Sequence, residues 1–334
     1  MKKTNVEILY EWLDNTAGII QQHVNEPYLD SLIYTMEILF EKHIPEDLDE
    51  VFSQKLQNNL DQVDITSYKT EEIRKGIQLA VLKGMKDSTQ QQHLMTPETV
   101  ALLVGYLAEK LTADKEEVRL FDPAGGTGNL VTTVMEHLKE KKLIAFAGEV
   151  DPTLIQLAVL SANLQQKSIE FFHQDSLRPF LLDPVDLIIA DLPVGYYPDD
   201  VQADTYELKA ENGNSYAHHL FIEQAMNYTK PGGYLIFVVP DFIFNSDQSD
   251  KLHAYLQEHS HITGVIRLPE SAFKSEKNIK SILVLQKKGQ DTRSPKQPLL
   301  AQMPSFKNTT GMSDILNQMN DWFVTYQKEM KGNE

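Results

Sequence analysis

Four stretches of this 334-residue chain bring together residue types that can bind or react. The first is Phe121-Asp122-Pro123-Ala124-Gly125-Gly126-Thr127-Gly128-Asn129-Leu130, set between an apolar run and a helical one. Glycines there let the main chain approach a ligand without side-chain clash. Several nucleotide folds use such a loop, and its neighbours decide among them. A phosphate-cradling loop needs Gly-Lys-Ser/Thr, and that lysine is missing. A dinucleotide loop sets a pyrophosphate against the helix N-terminus, which Asp122 would repel. A carboxylate at that point instead suits a ligand with a cationic amine, such as the methionine part of S-adenosylmethionine.

Two further acids fit the same ligand. Gly148-Glu149-Val150-Asp151 closes a second apolar run, where the Glu149 carboxylate can accept both hydroxyls of a ribose. His173-Gln174-Asp175-Ser176 closes a third, where Asp175 can accept an adenine amine. Asp151 by itself reads as an ordinary loop acid. The fourth stretch is Ile188-Ile189-Ala190-Asp191-Leu192-Pro193-Val194-Gly195-Tyr196-Tyr197-Pro198. Methylating an exocyclic amine is an in-line displacement by a weak nucleophile, because the lone pair is delocalised into the ring. Two acceptors holding the amine hydrogens draw the nitrogen toward a tetrahedral geometry. The Asp191 side chain and the Leu192 carbonyl can supply them, with Pro193 stiffening the turn, and such positioning supplies much of an acceleration. A stacked aromatic adds roughly 1–3 kcal/mol, and Tyr196 and Tyr197 are the rings at hand. His218 and His219 adjoin in a helical stretch, point about 100° apart and do not readily share a metal. With no cysteine and no spaced His/Glu pair, no metal site is expected.

The elements that must position these residues fall into three segments. Residues 1–88 repeat apolar positions at helical spacing and read as a helical N-terminal domain. Residues 89–290 alternate short β-branched runs at 118–121, 143–148, 169–172, 185–190, 234–239, 262–267 and 281–286 with helical stretches. That grammar predicts an α/β fold, a mostly parallel sheet covered by helices on both faces, with ligands beyond the carboxyl ends of its strands. Residues 291–334 read as a loop, rich in proline through about 310, followed by a helix over 312–330.

In this order the pieces resemble the N6-adenine DNA methylase family, above all the modification subunits of type I restriction systems. The resemblance runs from about Gln91 to Lys288. His93-Leu94-Met95-Thr96-Pro97 is similar to the Thr-Pro element that opens the family's core and contacts the methionine end of the cofactor. Asp191-Leu192-Pro193-Val194 stands where the family has Asn/Asp-Pro-Pro-Tyr/Phe. Pro231-Gly232-Gly233, Leu268-Pro269-Glu270-Ser271-Ala272-Phe273 and Ile279-Lys280-Ser281-Ile282-Leu283 follow in register. The resemblance implies a class I methyltransferase (Rossmann-like) sheet of seven strands, the last antiparallel, and S-adenosyl-L-methionine as cofactor. It implies cofactor contacts from Met95, Thr96, Asp122, Pro123, Ala124, Gly125, Gly126, Thr127, Gly128, Asn129, Glu149, Val150, Asp175, Ser176 and Asp191. It assigns Asp191, Leu192 and Pro193 to the transfer itself, with an adenine amine as acceptor, and Tyr196 is our candidate for the ring the motif lacks.

Two departures bear on that acceptor. Leu192 replaces the first proline, and Val194, which has no π face, replaces the stacking aromatic. Asp199, Asp200, Asp204, Glu207 and Glu211 follow, opposed by Lys209 alone. The net charge of −17 disfavours a nucleic-acid partner, because phosphate backbones are held by cations. The basic stretch, Lys274, Lys277, Lys280, Lys287, Lys288, Arg293 and Lys296, reads as a solvated loop and strand end. RNA, a protein amide, a small molecule and a non-catalytic cofactor-binding role stay open. A nicotinamide oxidoreductase is disfavoured by Asp122. The type I systems take target recognition from a separate subunit, and three roles stay open for the N-terminal helices: docking a protein partner, covering the cofactor, or scaffold. No apolar run approaches about 18 residues, so no membrane span is expected, and the expected location is the cytoplasm.

Overall fold

A computed structural model describes residues 3–46, 48–87, 95–273, 278–330 and 332. His93, Leu94, Lys274, Lys277 and the expected boundary at 88/89 lie outside the described residues. In chain order the helices are α1 (Asn5–Val24), α2 (Tyr28–Glu41), α3 (Glu50–Leu60), α4 (Thr70–Asp87), α5 (Glu98–Leu111), α6 (Asn129–His137), α7 (Pro152–Leu164), α8 (Asp200–Ala203), α9 (Ala217–Asn227), α10 (Ser249–His259) and α11 (Thr309–Met330). The strands are β1 (Glu117–Asp122), β2 (Lys142–Glu149), β3 (Ile169–His173), β4 (Val185–Asp191), β5 (Thr229–Pro240), β6 (Ser260–Arg267), β7 (Lys280–Lys287) and β8 (Leu299–Gln302).

The chain divides into two compact units. One comprises Met1–Met95, Gly125–Thr132 and Glu149–His173, so it groups the glycine loop, α7 and β3 with the N-terminal helices. α1 and α3 begin where the sequence offers side-chain caps. Thr4 and Glu7 form a reciprocal capping box on α1, and Asp49 accepts the Phe52 N–H at the start of α3. Leu9 and Leu13 of α1, Leu32 and Met36 of α2 and Ile77 of α4 share one core with Leu157, Leu160 and Leu164 of α7. The helical stripes therefore bury against an element of the cofactor-binding segment, which no periodicity argument could supply.

The other unit comprises Thr96–Ala124, Thr133–Gly148 and Gln174–Glu334. β4 is buried through Val185–Ala190 because both faces are covered, which is why it reads as an unbroken apolar run. The sheet order is β3-β2-β1-β4-β5-β7-β6-β8. β1 pairs parallel with β2 and β4, and β4 with β5, while β7 runs antiparallel to β5 and β6. The expected seven strands are all present. An eighth, β8, runs parallel to β6 inside the segment expected to be loop, and corrects that expectation. Pro298 and Pro304 flank it, and an edge strand, with one neighbour only, tolerates prolines at its ends. Among the described residues no helix is long and apolar enough to cross a membrane.

Asp122 closes β1, Glu149 closes β2 and Asp191 closes β4. The acids singled out in the sequence are strand-terminal residues, and Asp175 follows the end of β3 by two positions.

Candidate active site

In the unit that holds the glycine loop, Gly126 and Gly128 have φ of +54° and +77°, where a side chain is strained. A Cβ on Gly128 would also stand 3.3 Å from the Ala158 Cβ of α7. This backbone turn aims the Gly126 N–H at Glu149 Oε2, 2.9 Å away. Val150 and Asp151 donate their N–H groups to Oε1 at 2.8 and 2.9 Å. Three backbone donors thus fix the Glu149 carboxylate and leave about one of its four lone-pair sites, on Oε2, for a ribose hydroxyl. Val150 is 60% exposed beside it. Asp151 is the N-cap of α7, accepting the Thr153 and Leu154 N–H groups, with Pro152 pre-set for the first turn. Its carboxylate caps a helix, where the sequence alone reads as an ordinary loop acid. Thr127 and Asn129 are buried. Met95 packs against the helical core. Arg74 of α4, buried and missed by sequence reasoning, donates to Asn129 Oδ1 at 3.4 Å.

In the other unit Asp122 and Pro123 are buried, and Ala124 donates its N–H to Asp122 Oδ1 at 3.1 Å. Asp191 holds two partners. The Thr96 hydroxyl donates to Oδ2 at 3.0 Å, and the Lys280 ammonium donates to Oδ1 at 2.5 Å. Lys280 comes from the first position of β7, opposite Pro240 of β5, and reaches past the end of β5 to β4. Sequence reasoning filed this lysine with a surface basic stretch. The signals against that were its place at the start of an apolar strand and within Ile279-Lys280-Ser281-Ile282-Leu283, one of the stretches that carry the resemblance.

The segment after Asp191 is pinned. Leu192 is buried and donates its N–H to the Val238 carbonyl. Pro193 and Val194 are exposed. Gly195, at φ +141°, turns the chain so that its carbonyl accepts the Ala217 N–H and the Tyr197 N–H reaches the Ser215 carbonyl, both at 2.9 Å. The two tyrosines left open by the sequence point to different tasks. Tyr197 is buried and donates its hydroxyl to Asp175 Oδ2 at 2.5 Å. Burial first, and then the Asp175 carboxylate, push its phenol up. Asp175 Oδ1 also accepts the Leu177 N–H, and the buried Ser176 accepts from Gln224 through its carbonyl. Tyr196 is 57% exposed and stacks on Tyr216, with centroids 4.9 Å apart and planes 12° from parallel. One face of Tyr196 is therefore backed by a ring.

Tyr216 leads into His218 and His219, both fully buried. None of their four ring nitrogens has a hydrogen-bond partner among the described residues. Burial, and next the neighbouring His219, depress His218 to about 3, and burial depresses His219 to about 4. Both imidazoles are neutral spacers under Tyr216. The acidic segment is less bare than its sequence suggests, which amends the reading that Lys209 alone opposes it. Arg178 pairs with Asp199 at 2.8 Å, in addition to Lys209 with Asp204 at 3.0 Å. The basic stretch is dispersed, with Lys287 and Lys288 spent on the Met226 and Gln257 carbonyls.

The strand order and the strand-terminal acids define a class I S-adenosylmethionine-dependent methyltransferase fold. Residues 84–327 match the family model described as N-6 DNA Methylase, and residues 7–85 match the YtxK N-terminal helical domain. The chain belongs to the N-6 DNA methylase family. It is 45% identical over 328 residues to the protein YtxK of Bacillus subtilis, covering 97% of this chain and 99% of that one. A Listeria monocytogenes protein, solved as a candidate class I S-adenosylmethionine-dependent methyltransferase, superposes with a TM-score of 0.90 at 44% identity, over 96% of this chain and 99% of that one. A modification subunit of a candidate type I restriction enzyme from Vibrio vulnificus shares the fold, with a TM-score of 0.63 at 17% identity over 87% of this chain and 66% of that one. The family's cofactor is S-adenosyl-L-methionine. The residue types in each unit are of the kind it needs: the Glu149 carboxylate and an open main chain at Gly126 in one, and the Asp122 and Asp175 carboxylates in the other.

Proposed function

We propose that this chain is a cytoplasmic methyltransferase acting on the exocyclic amine of a planar acceptor, with adenine in nucleic acid as the leading candidate. The observation that carries the reading is the Asp191 carboxylate, fixed at the end of β4 by Thr96 and Lys280 and followed by a pinned loop that offers one tyrosine face. Bound S-adenosylmethionine supplies an electrophilic methyl group. Asp122, the main chain of residues 123–129, Glu149, Val150, Asp175 and Ser176 are the residues we assign to hold it. Asp191 and the Leu192 carbonyl take the two amine hydrogens, Pro193 stiffens their approach, and Tyr196 replaces Val194 as the stacking surface. Asp191 accepts the hydrogen bond that strengthens as the amine becomes cationic, and the displaced proton leaves to solvent. An adenine in a duplex would have to leave its stack first, at a cost of a few kcal/mol. The YtxK-like helices are the surface we assign to a protein partner, with Phe40 and Val51 exposed on it.

A second reading keeps the chemistry and changes the acceptor. The acids of residues 199–211 favour a planar amide or amine outside a polyphosphate. Incubation with methyl-tritiated S-adenosylmethionine separates the two, using single-stranded and duplex DNA, RNA and a protein extract as acceptors. Label in N6-methyladenine is the expected result. Label in protein or metabolites alone moves the acceptor, and cofactor binding by calorimetry without any labelled product overturns the catalytic reading.

A further inference from the structure

Lys280 has a place in the site that its position in a basic stretch hides. Its ammonium is 2.5 Å from Asp191 Oδ1, and the side chains are 18% and 11% exposed. The strand ladder fixes its root, since the Lys280 carbonyl accepts the Leu268 N–H at 3.1 Å and Lys280 stands in register with Pro240. Asp191 uses one of the three ammonium hydrogens, and among the described residues the ammonium has no second partner. Thr96 on Oδ2 keeps the carboxylate from rotating away. The result is an acceptor and a donor held side by side at the carboxyl end of β4.

We infer that Asp191 and Lys280 together read an amidine edge: an amine beside an sp2 nitrogen, with Asp191 accepting from the amine and Lys280 donating to the adjacent ring nitrogen. The inference rests on the methyltransferase reading above and sharpens it. Adenine carries the amidine on its N1 side, and on the other side N7 presents an acceptor beside the amine without being part of an amidine. An isolated amine offers neither, and a cationic one would meet the ammonium. A hydrogen bond from a cation to the ring nitrogen also draws electron density from the amine. Lys280 therefore contributes to recognition of the acceptor and not to the nucleophilicity of its nitrogen. A donor matched to one base position is worth roughly tenfold or more in discrimination.

The test compares single-stranded oligonucleotides carrying one adenine, 1-deazaadenine or 7-deazaadenine, with a glutamine peptide and a lysine peptide as further acceptors. Transfer from S-adenosylmethionine is measured for wild type, Lys280→Met, Lys280→Gln and Lys280→Arg. Lys280→Gln keeps an uncharged donor on Asp191 in case the methionine variant folds poorly, and S-adenosylhomocysteine affinity by calorimetry checks each fold. Wild type should prefer adenine about tenfold or more over one of the two deaza analogues in kcat/KM. Lys280→Met and Lys280→Gln should bring that ratio near one, and Lys280→Arg should keep part of it. A lysine that only supported the structure would lower both rates together, so an unchanged ratio in the folded variants overturns the inference. Transfer to the glutamine amide alone would overturn the amidine reading, because a carboxamide sets an oxygen and not an sp2 nitrogen beside its amine, while leaving a methyltransferase. Transfer to the lysine peptide alone would sink the edge reading while leaving a methyltransferase. No transfer to any probe by a cofactor-binding wild type overturns both.

Discussion

Acid should loosen the platform under Tyr196 before it touches the carboxylates. His218 and His219 are held at about 3 and about 4 against an ordinary value of 6.5. Below about pH 6.5 the unfolded chain takes up two protons that the folded chain refuses. Stability that is intact above that pH therefore falls as the pH drops, and this contribution is fully gone once the pH is below the folded values. Each imidazole removes about 1.4 kcal/mol per pH unit once the unfolded form is protonated. From pH 7 to pH 5 the loss is on the order of 2 kcal/mol for each histidine and about twice that for the pair. Both rings are fully buried, so solvent does not screen the effect. Urea unfolding at half-unit pH steps measures it, with His218→Phe and His219→Phe as the perturbations. Each variant should lose about half of the pair's acid slope. At pH 7 the variants should be no less stable than wild type by more than a packing adjustment, because two unpartnered nitrogens leave the interior with each ring. Curves for variant and wild type that run parallel between pH 7 and pH 5 would refute the argument, as would resonances assigned to His218 and His219 that titrate near 6.5 in the folded protein.

The remaining predictions concern the site. Glu149→Gln turns an amide N–H₂ toward a backbone N–H, at Gly126 or at Val150 and Asp151, and should weaken S-adenosylmethionine binding by at least tenfold in calorimetry; unchanged affinity would remove Glu149 from the cofactor site. Tyr196→Ala should raise KM for the acceptor by about tenfold to a hundredfold, the value of one stacked base, while Tyr196→Phe keeps the ring and stays near wild type; equal effects of the two would show that the hydroxyl matters and not the face. Asp191→Asn should abolish transfer while leaving cofactor affinity within a few-fold. Asp191→Ala is the poorer probe, because it strands the Lys280 ammonium in a largely buried place and should also lower the melting point.

Much of this architecture was legible in the sequence because its grammar is local. Seven apolar runs alternating with helical stretches gave seven of the strands, and each acid predicted to sit at a strand end does so or follows within two residues. β8 was missed because Leu299–Gln302 is short and bracketed by prolines, and its pairing partner lies more than thirty residues upstream. The pairing of the N-terminal helices with α7 was hidden for a related reason: an apolar stripe announces that it will be buried, but not against what. Lys280 was invisible as a site residue because its partner is 89 positions away. Arg74 was invisible because helix periodicity treats an internal arginine as a solvated position. The two tyrosines could not be told apart by type. Only the turn at Gly195 decides that Tyr197 faces Asp175 while Tyr196 lies on Tyr216.

That turn also bears on whether the departures at Leu192 and Val194 disable the loop. The Leu192 side chain is buried and its N–H is bonded to β5, so the residue that replaces a proline is fixed by packing and by the sheet instead of by a ring. What the position must present is a carbonyl, which any residue has. Val194 cannot stack, and moving the aromatic two positions along works only if the chain reverses between them. Gly195 makes that reversal at φ +141°, and a Cβ built there meets nothing within 4 Å. Gly195→Ala therefore tests backbone conformation with no steric confusion. If the turn is kept, the alanine is strained by about 1–3 kcal/mol and the melting point falls. If the turn relaxes, stability survives and Tyr196 leaves Tyr216, so KM for the acceptor rises while cofactor affinity holds. A variant with wild-type melting point and wild-type KM would mean that the reversed turn serves neither stability nor the acceptor, and the case for Tyr196 as the displaced aromatic would fail with it.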